Sequence, residues 1–171
     1  MDTILIIGYG NPDRQDDGIA WHVLNRLSGR LNRATDFDTD FNFECLTEKC
    51  NENPCLLFVL QLTPELSETI QIFDRVCFID THTGYITDDI QITEIKSIYE
   101  ASPLSHHMTP ASCMALCKSL FYKEPSTILV SIRGFEFGFS RELTPQVNIL
   151  VDRVVDWIIS WLVNPLIQTI K

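Results

Sequence analysis

No uninterrupted apolar run in the 171 residues approaches the roughly 18–20 needed to cross a bilayer, so no membrane partner is expected. Basic residues are scarce: 13 Lys and Arg stand against 23 Asp and Glu, a formal charge of −10. That balance repels a phosphate backbone and leaves no basic stripe to release counterions, which argues against nucleic acid as a partner. The opening Met1-Asp2-Thr3 has neither the basic region nor the small-residue cleavage site of a secretory signal, and the cytoplasm is the expected compartment. No C-x-x-C pair occurs among the six cysteines, and the even spacing of Cys45, Cys50 and Cys55 matches no standard zinc knuckle. A reducing compartment predicts free thiols, with Cys113 and Cys117 packed in the core from one helical face. Glycine is sparse as well. The loop Gly8-Tyr9-Gly10-Asn11-Pro12 has no third Gly opening a helix, so it is not a dinucleotide fingerprint, and no organic cofactor is expected. A G-x-S-x-G elbow, an H-E-x-x-H helix and the D-T-G of aspartic proteases are all missing, which removes the conventional hydrolase signatures.

What is present reads as one α/β domain over 1–171, a length suited to a single buried core. Thr3–Ile7 is a continuous apolar run closed by Gly8, as expected of a strand buried on both faces. Ile19, Val23, Leu24 and Leu27 then recur at helical spacing, with Asp16 placed to cap that helix. Residues 30–54 are polar and without period, a variable excursion. Cys55–Leu60 is a second buried strand, and Pro64 and Glu65 suit the first turn of a short helix. A third strand runs over Arg75–Ile79 and ends on Asp80. Ile90–Ile95 alternates apolar and polar, as a half-exposed antiparallel edge strand would. Pro110 opens a helix through Leu120, Thr127–Ile132 is a fifth strand, and 145–163 form a terminal amphipathic helix on which Trp157 and Trp161 are core residues. The alternation predicts a three-layer sandwich with a mostly parallel, roughly five-stranded sheet flanked by helices.

In open α/β sheets, functional groups gather beyond the carboxyl ends of the strands. Asp17 after strand one, Asp80 ending strand three and His106 ahead of the Pro110 helix occupy such places. Two carboxylates and an imidazole would suit a divalent transition metal with open coordination positions. Each also has a plainer account: helix capping for Asp16 and Asp17, a turn acid at Asp80, a loop histidine at His106. Gly8, Gly10, Asn11 and Gly18 are candidate substrate-binding positions, because glycine lets the backbone approach a bound group closely.

The ordered set Ile6-Ile7-Gly8-Tyr9-Gly10-Asn11-Pro12, Asp16-Asp17-Gly18, Gln61-Leu62-Thr63-Pro64-Glu65-Leu66, Phe78-Ile79-Asp80 and Ser105-His106-His107-Met108-Thr109-Pro110 resembles the maturation endopeptidases of nickel-iron hydrogenases. Ile132–Gly138 and Leu143-Thr144-Pro145 look like the family's late strand and final helix start, and the Gln61–Leu66 segment is similar to the branch serving bidirectional or cyanobacterial-type hydrogenases. The resemblance implies an aspartyl-type endopeptidase that removes a C-terminal extension from the hydrogenase large-subunit precursor after nickel insertion. By motif position it implies Asp17, Asp80 and His106 as contacts to nickel carried by the substrate, with His106 preferred to the neighbouring His107. Asp16 is either a general base or a helix cap. A nickel-polarised water is the implied nucleophile, and a monomer is the default state.

The chain departs from the family pattern at Gln15 and Ala20, where glycines are frequent, at Leu60, where strand two often ends on a polar residue, and at Thr81-His82 after the strand-three acid. His82 is therefore a rival ligand, whereas His22 falls on the first helix, outside the pattern. Two other functions share some of these features. A peptidyl-tRNA hydrolase has a similar opening G-x-G-N-P, but its T-R-H-N segment is absent and the acidic charge ill suits tRNA. A non-catalytic nickel-dependent chaperone or checkpoint module for the immature subunit would use the same ligands without cutting.

Overall fold

The computed structural model describes residues 2–33, 37, 52–98 and 108–165. Most of the 30–54 excursion, and both His106 and His107, lie outside them. Five strands, β1 (Ile4–Tyr9), β2 (Cys55–Val59), β3 (Arg75–His82), β4 (Ile90–Glu94) and β5 (Ser126–Arg133), form one sheet in the order β2-β1-β3-β5-β4. Helix α1 (Ile19–Arg30) follows β1 through a 3-10 turn at Gln15–Gly18, and α2 (Leu66–Ile70), α3 (Pro110–Phe121) and α4 (Pro145–Val163) are the other helices among the described residues.

β1 pairs in parallel with β2 and β3, and β3 with β5, but β4 runs antiparallel to β5. The sheet is thus mixed rather than mostly parallel. The half-exposed alternation of Ile90 to Glu94 belongs to this edge strand, whose short return from β3 needs no helical crossover. Pro64 and Glu65 form a turn just ahead of α2 instead of its first turn.

The central strands are apolar at successive positions because both of their faces are covered. Ile4, Ile6, Cys77, Ile79, Val130 and Ile132 face a cluster completed by Val23, Leu24 and Leu27 of α1 and by Val147, Val151, Val154 and Trp157 of α4. Leu5, Ile7, Val76 and Phe78 project the other way, into a cluster with Leu66 and Ile70 of α2 and Cys113, Met114 and Cys117 of α3. The period-two alternation of a strand thereby sorts one continuous apolar run into two cores. At the amino end of β3, the buried Arg75 guanidinium lies 4.0 Å from the Trp161 ring centroid and donates to the Trp161 carbonyl at 2.9 Å, tying α4 to the sheet.

Cys77, Cys113 and Cys117 are free and buried, as expected, but Cys55 is disulfide-bonded, which corrects the expectation of free thiols throughout. Among the described residues, no helix is long and apolar enough to cross a membrane.

Candidate active site

The site follows from strand register. Ile7 lies opposite Phe78 and Gly8 opposite Ile79, so the next step along the two parallel strands brings Tyr9 beside Asp80 at the carboxyl end of the sheet. Both side chains fall on the face that also carries Ile7 and Phe78, since alternate residues share a face. The Tyr9 hydroxyl donates to Asp80 Oδ2 at 2.7 Å, and the Thr81 N–H donates to Oδ1 at 2.7 Å. Each carboxylate oxygen thus carries one donor and retains a further lone pair. Burial pushes the Asp80 carboxyl up to about 6; the hydrogen bonds from Tyr9 and Thr81 pull the other way, and the negative charge of Asp17 adds to the upward push. Burial, followed by the charge of Asp80, raises the Tyr9 phenol well above its ordinary value, so it acts as a donor.

Asp17 arrives from the first loop. Asn11 organises that loop: its side-chain Oδ1 accepts the Asp13 N–H at 3.0 Å, its carbonyl accepts the Arg14 N–H at 3.0 Å, and its own N–H donates to Asp17 Oδ2 at 3.0 Å. Such a side-chain-to-backbone turn is what an Asn ahead of Pro commonly builds. Gly10 has φ +138°, and a Cβ there would lie 2.3 Å from the Asp17 carbonyl oxygen. Only glycine fits, because both the conformation and the space exclude a side chain. A Cβ on Gly8 would come within 2.9 Å of Leu24 Cδ1, and one on Gly18 within 2.7 Å of Pro12 Cα. At all three glycines the close approach is to the chain itself, and this is how the turn brings Asp17 to the edge where Asp80 stands.

Asp16 has a different setting. It is fully buried; Oδ2 accepts the Phe135 N–H at 2.9 Å, the Glu136 N–H at 3.0 Å and the Thr144 hydroxyl at 3.0 Å, while Oδ1 accepts the Thr144 N–H at 2.9 Å. Its own carbonyl accepts the Thr81 hydroxyl at 3.1 Å. Neither the 3-10 turn nor α1 has a side-chain cap, so the capping expected of Asp16 is not what its carboxylate does. It clasps four segments together: the first loop, the end of β3, the loop after β5 and the start of α4. Gly134 makes this possible, since a Cβ there would meet Phe137, Thr81 and Asp16 at 2.7, 2.9 and 3.1 Å.

His22 and His82 have partners of their own. His22 Nε2 lies 2.9 Å from the Arg141 carbonyl on the α1 side. His82 is buried; its Nδ1 accepts the Gly84 N–H at 3.2 Å, its ring meets Tyr85 edge-on, and burial, then the charge of Arg133, lowers its pKa. Its contacts are thus with the loop after β3. Among the described residues no three metal-binding side chains cluster; the Asp17 carboxylate lies against Gly10 and Asn11, just beyond Tyr9, and its charge bears on Asp80, while His106, the third expected ligand, lies outside the described residues. Tyr9 and the Thr144 clasp escaped the sequence reading. The one available signal for Tyr9 was its place two residues beyond Ile7 on the same strand face.

No protein-family model and no curated protein sequence matches the chain. Solved structures do. The [NiFe] hydrogenase maturation protease HycI from Thermococcus kodakarensis KOD1 superposes with a TM-score of 0.63 at 19% identity, over 95% of this chain and 94% of that one. The hydrogenase maturating endopeptidase HybD from E. coli gives 0.65 at 14% identity, over 95% and 93%. The endopeptidase HycI from Escherichia coli gives 0.61 at 16%, over 93% and 90%. Over nearly its whole length, then, the chain has the fold of these maturation endopeptidases.

Proposed function

We propose that this protein is an endopeptidase that removes the C-terminal extension of a nickel-iron hydrogenase large-subunit precursor, with the nickel carried by that precursor as its recognition element. The observation that carries the reading is the placement of Asp80, held by Tyr9, and of Asp17, held at Asn11 just beyond Tyr9, at the carboxyl edge of a sheet whose fold is shared with maturation endopeptidases. Each carboxylate is held by one backbone N–H and keeps lone pairs to offer. Oxygen donors with an imidazole suit a divalent ion such as nickel(II), and His106 is the imidazole that the motif order supplies. Bound nickel supplies Lewis-acid polarisation and a template for the scissile bond. The chain's own share is to hold Asp17 and Asp80 at fixed positions around the arriving ion. The Gln61–Leu66 segment favours a precursor of the bidirectional or cyanobacterial type.

Incubating the protein with nickel-loaded precursor and weighing the large subunit by mass spectrometry tests this reading. A shortened subunit is expected, and nickel-free precursor should stay intact. Asp17→Ala, Asp80→Ala and His106→Ala should each lower processing by more than about 100-fold, beyond the roughly 10–100-fold typical when a group supporting a ligand is lost. Binding without truncation would favour the chaperone reading instead.

A further inference from the structure

We propose that Tyr9 is a positioning residue for this reaction, acting through Asp80 and not on the substrate itself. The inference rests on the endopeptidase reading above and adds to it a residue that the motif order does not assign. The terminal torsion of an aspartate is broad and roughly two-fold, so a carboxylate at the end of a strand swings unless both oxygens are held. Thr81 holds Oδ1 through the backbone, which ties that oxygen to the strand but leaves the carboxylate free to rotate about the contact. The Tyr9 hydroxyl supplies the second point, 2.7 Å from Oδ2.

The phenol is itself well fixed. Tyr9 ends β1, and its ring packs against the apolar cluster that includes Ile7, Phe78 and Cys113. Its oxygen reaches Asp80 from the neighbouring strand, where the parallel register sets the spacing. A donor on β1 aimed at the adjacent β3 holds the carboxylate in one orientation, so that Asp80 keeps the placement the chemical step needs once the precursor is bound. Orientation of this kind raises the rate of the chemical step without adding a contact to the substrate. Asp17 has only the Asn11 amide on its carboxylate among the hydrogen bonds of the described residues, so the two acids differ in how firmly they are held.

The test compares Tyr9→Phe and Tyr9→Leu with the wild type on nickel-loaded precursor, reading kcat, KM and melting temperature separately. Tyr9→Phe keeps the ring and loses only the hydroxyl. It should lower kcat by about 10–100-fold, the range seen when an outer group orienting a ligand is removed, with KM and melting temperature close to wild type. Tyr9→Leu should lose the same factor in kcat and, in addition, melt at a lower temperature. Wild-type kcat in Tyr9→Phe, a loss that appears only in KM, or a loss seen in Tyr9→Leu but not in Tyr9→Phe would each overturn the proposal while leaving the endopeptidase reading intact. A wild-type protein that leaves the precursor uncut overturns that reading, and the role of Tyr9 falls with it.

Discussion

Asp80 and Asp16 are both acids removed from bulk water, and their partners make them opposites. Asp80 has a single phenol and a single amide to offset its burial, and its carboxyl is pushed up to about 6 from an ordinary 3.8. The folded protein therefore binds a proton at Asp80 more readily than the unfolded chain does. The associated stability is fully present below about pH 4 and is lost as pH rises through about 6. Asp80→Asn, which cannot ionise, should be more stable than wild type at neutral pH by on the order of 1–3 kcal/mol, with the gain vanishing near pH 4; urea unfolding at both pH values measures it. Asp16 instead receives four donors, so its removal orphans them. At about 1–3 kcal/mol for each buried donor left unpaired, Asp16→Ala should lose at least about 3 kcal/mol in the same experiment. Any loss of processing in Asp16→Ala should then track unfolding, and a variant that stays fully folded yet inactive would return Asp16 to the list of proton-transfer groups.

The β1–turn–α1 unit positions Asp17, and its glycines fit closely against the chain itself. Gly10→Ala meets both a left-handed backbone and the Asp17 carbonyl, so it should destabilise by about 1–3 kcal/mol from backbone strain alone, with processing reduced beyond what unfolding explains because the Asp17 turn must shift. Gly8→Ala, which presses on Leu24 and Ala20, should cost a similar amount by overpacking, typically about 1–3 kcal/mol, and leave the geometry of Asp17 less disturbed. Thermal melting and the processing rate, measured on the same samples, separate the two. These elements were legible because their signals are local. The apolar run of β1, the helical spacing after Ile19, Pro110 and Pro145 at helix starts and the alternation of Ile90 to Glu94 each need only a short window. Thr109 caps α3 by accepting the Ser112 N–H, a local signal of the same kind. The antiparallel edge strand β4 was legible from its alternation, whereas the place of Pro64-Glu65 was harder to read. Whether a turn precedes a helix or forms its first turn depends on what it packs against.

For the molecule as a whole, the formal charge of −10 predicts that neither tRNA nor DNA will bind detectably even at low salt, where electrostatic attraction is least screened. A gel shift with tRNA is the check, and binding would revive the peptidyl-tRNA hydrolase alternative. Sequence by itself determined the α/β class, the strand and helix succession, the charge and the motif order that singled out Asp17, Asp80 and His106. Those properties are written in residue types and short periods, and they survive without knowledge of which element neighbours which. Tertiary structure decided the strand order of the sheet, the passage of Asp16 from expected cap to buried clasp, and the pairing of Tyr9 with Asp80, residues separated by 71 positions in the chain. The physical reason is common to all three: a hydrogen bond between distant residues is set by register and packing, and neither Asp16 nor Tyr9 carries any mark in its own neighbourhood of the partner it will meet.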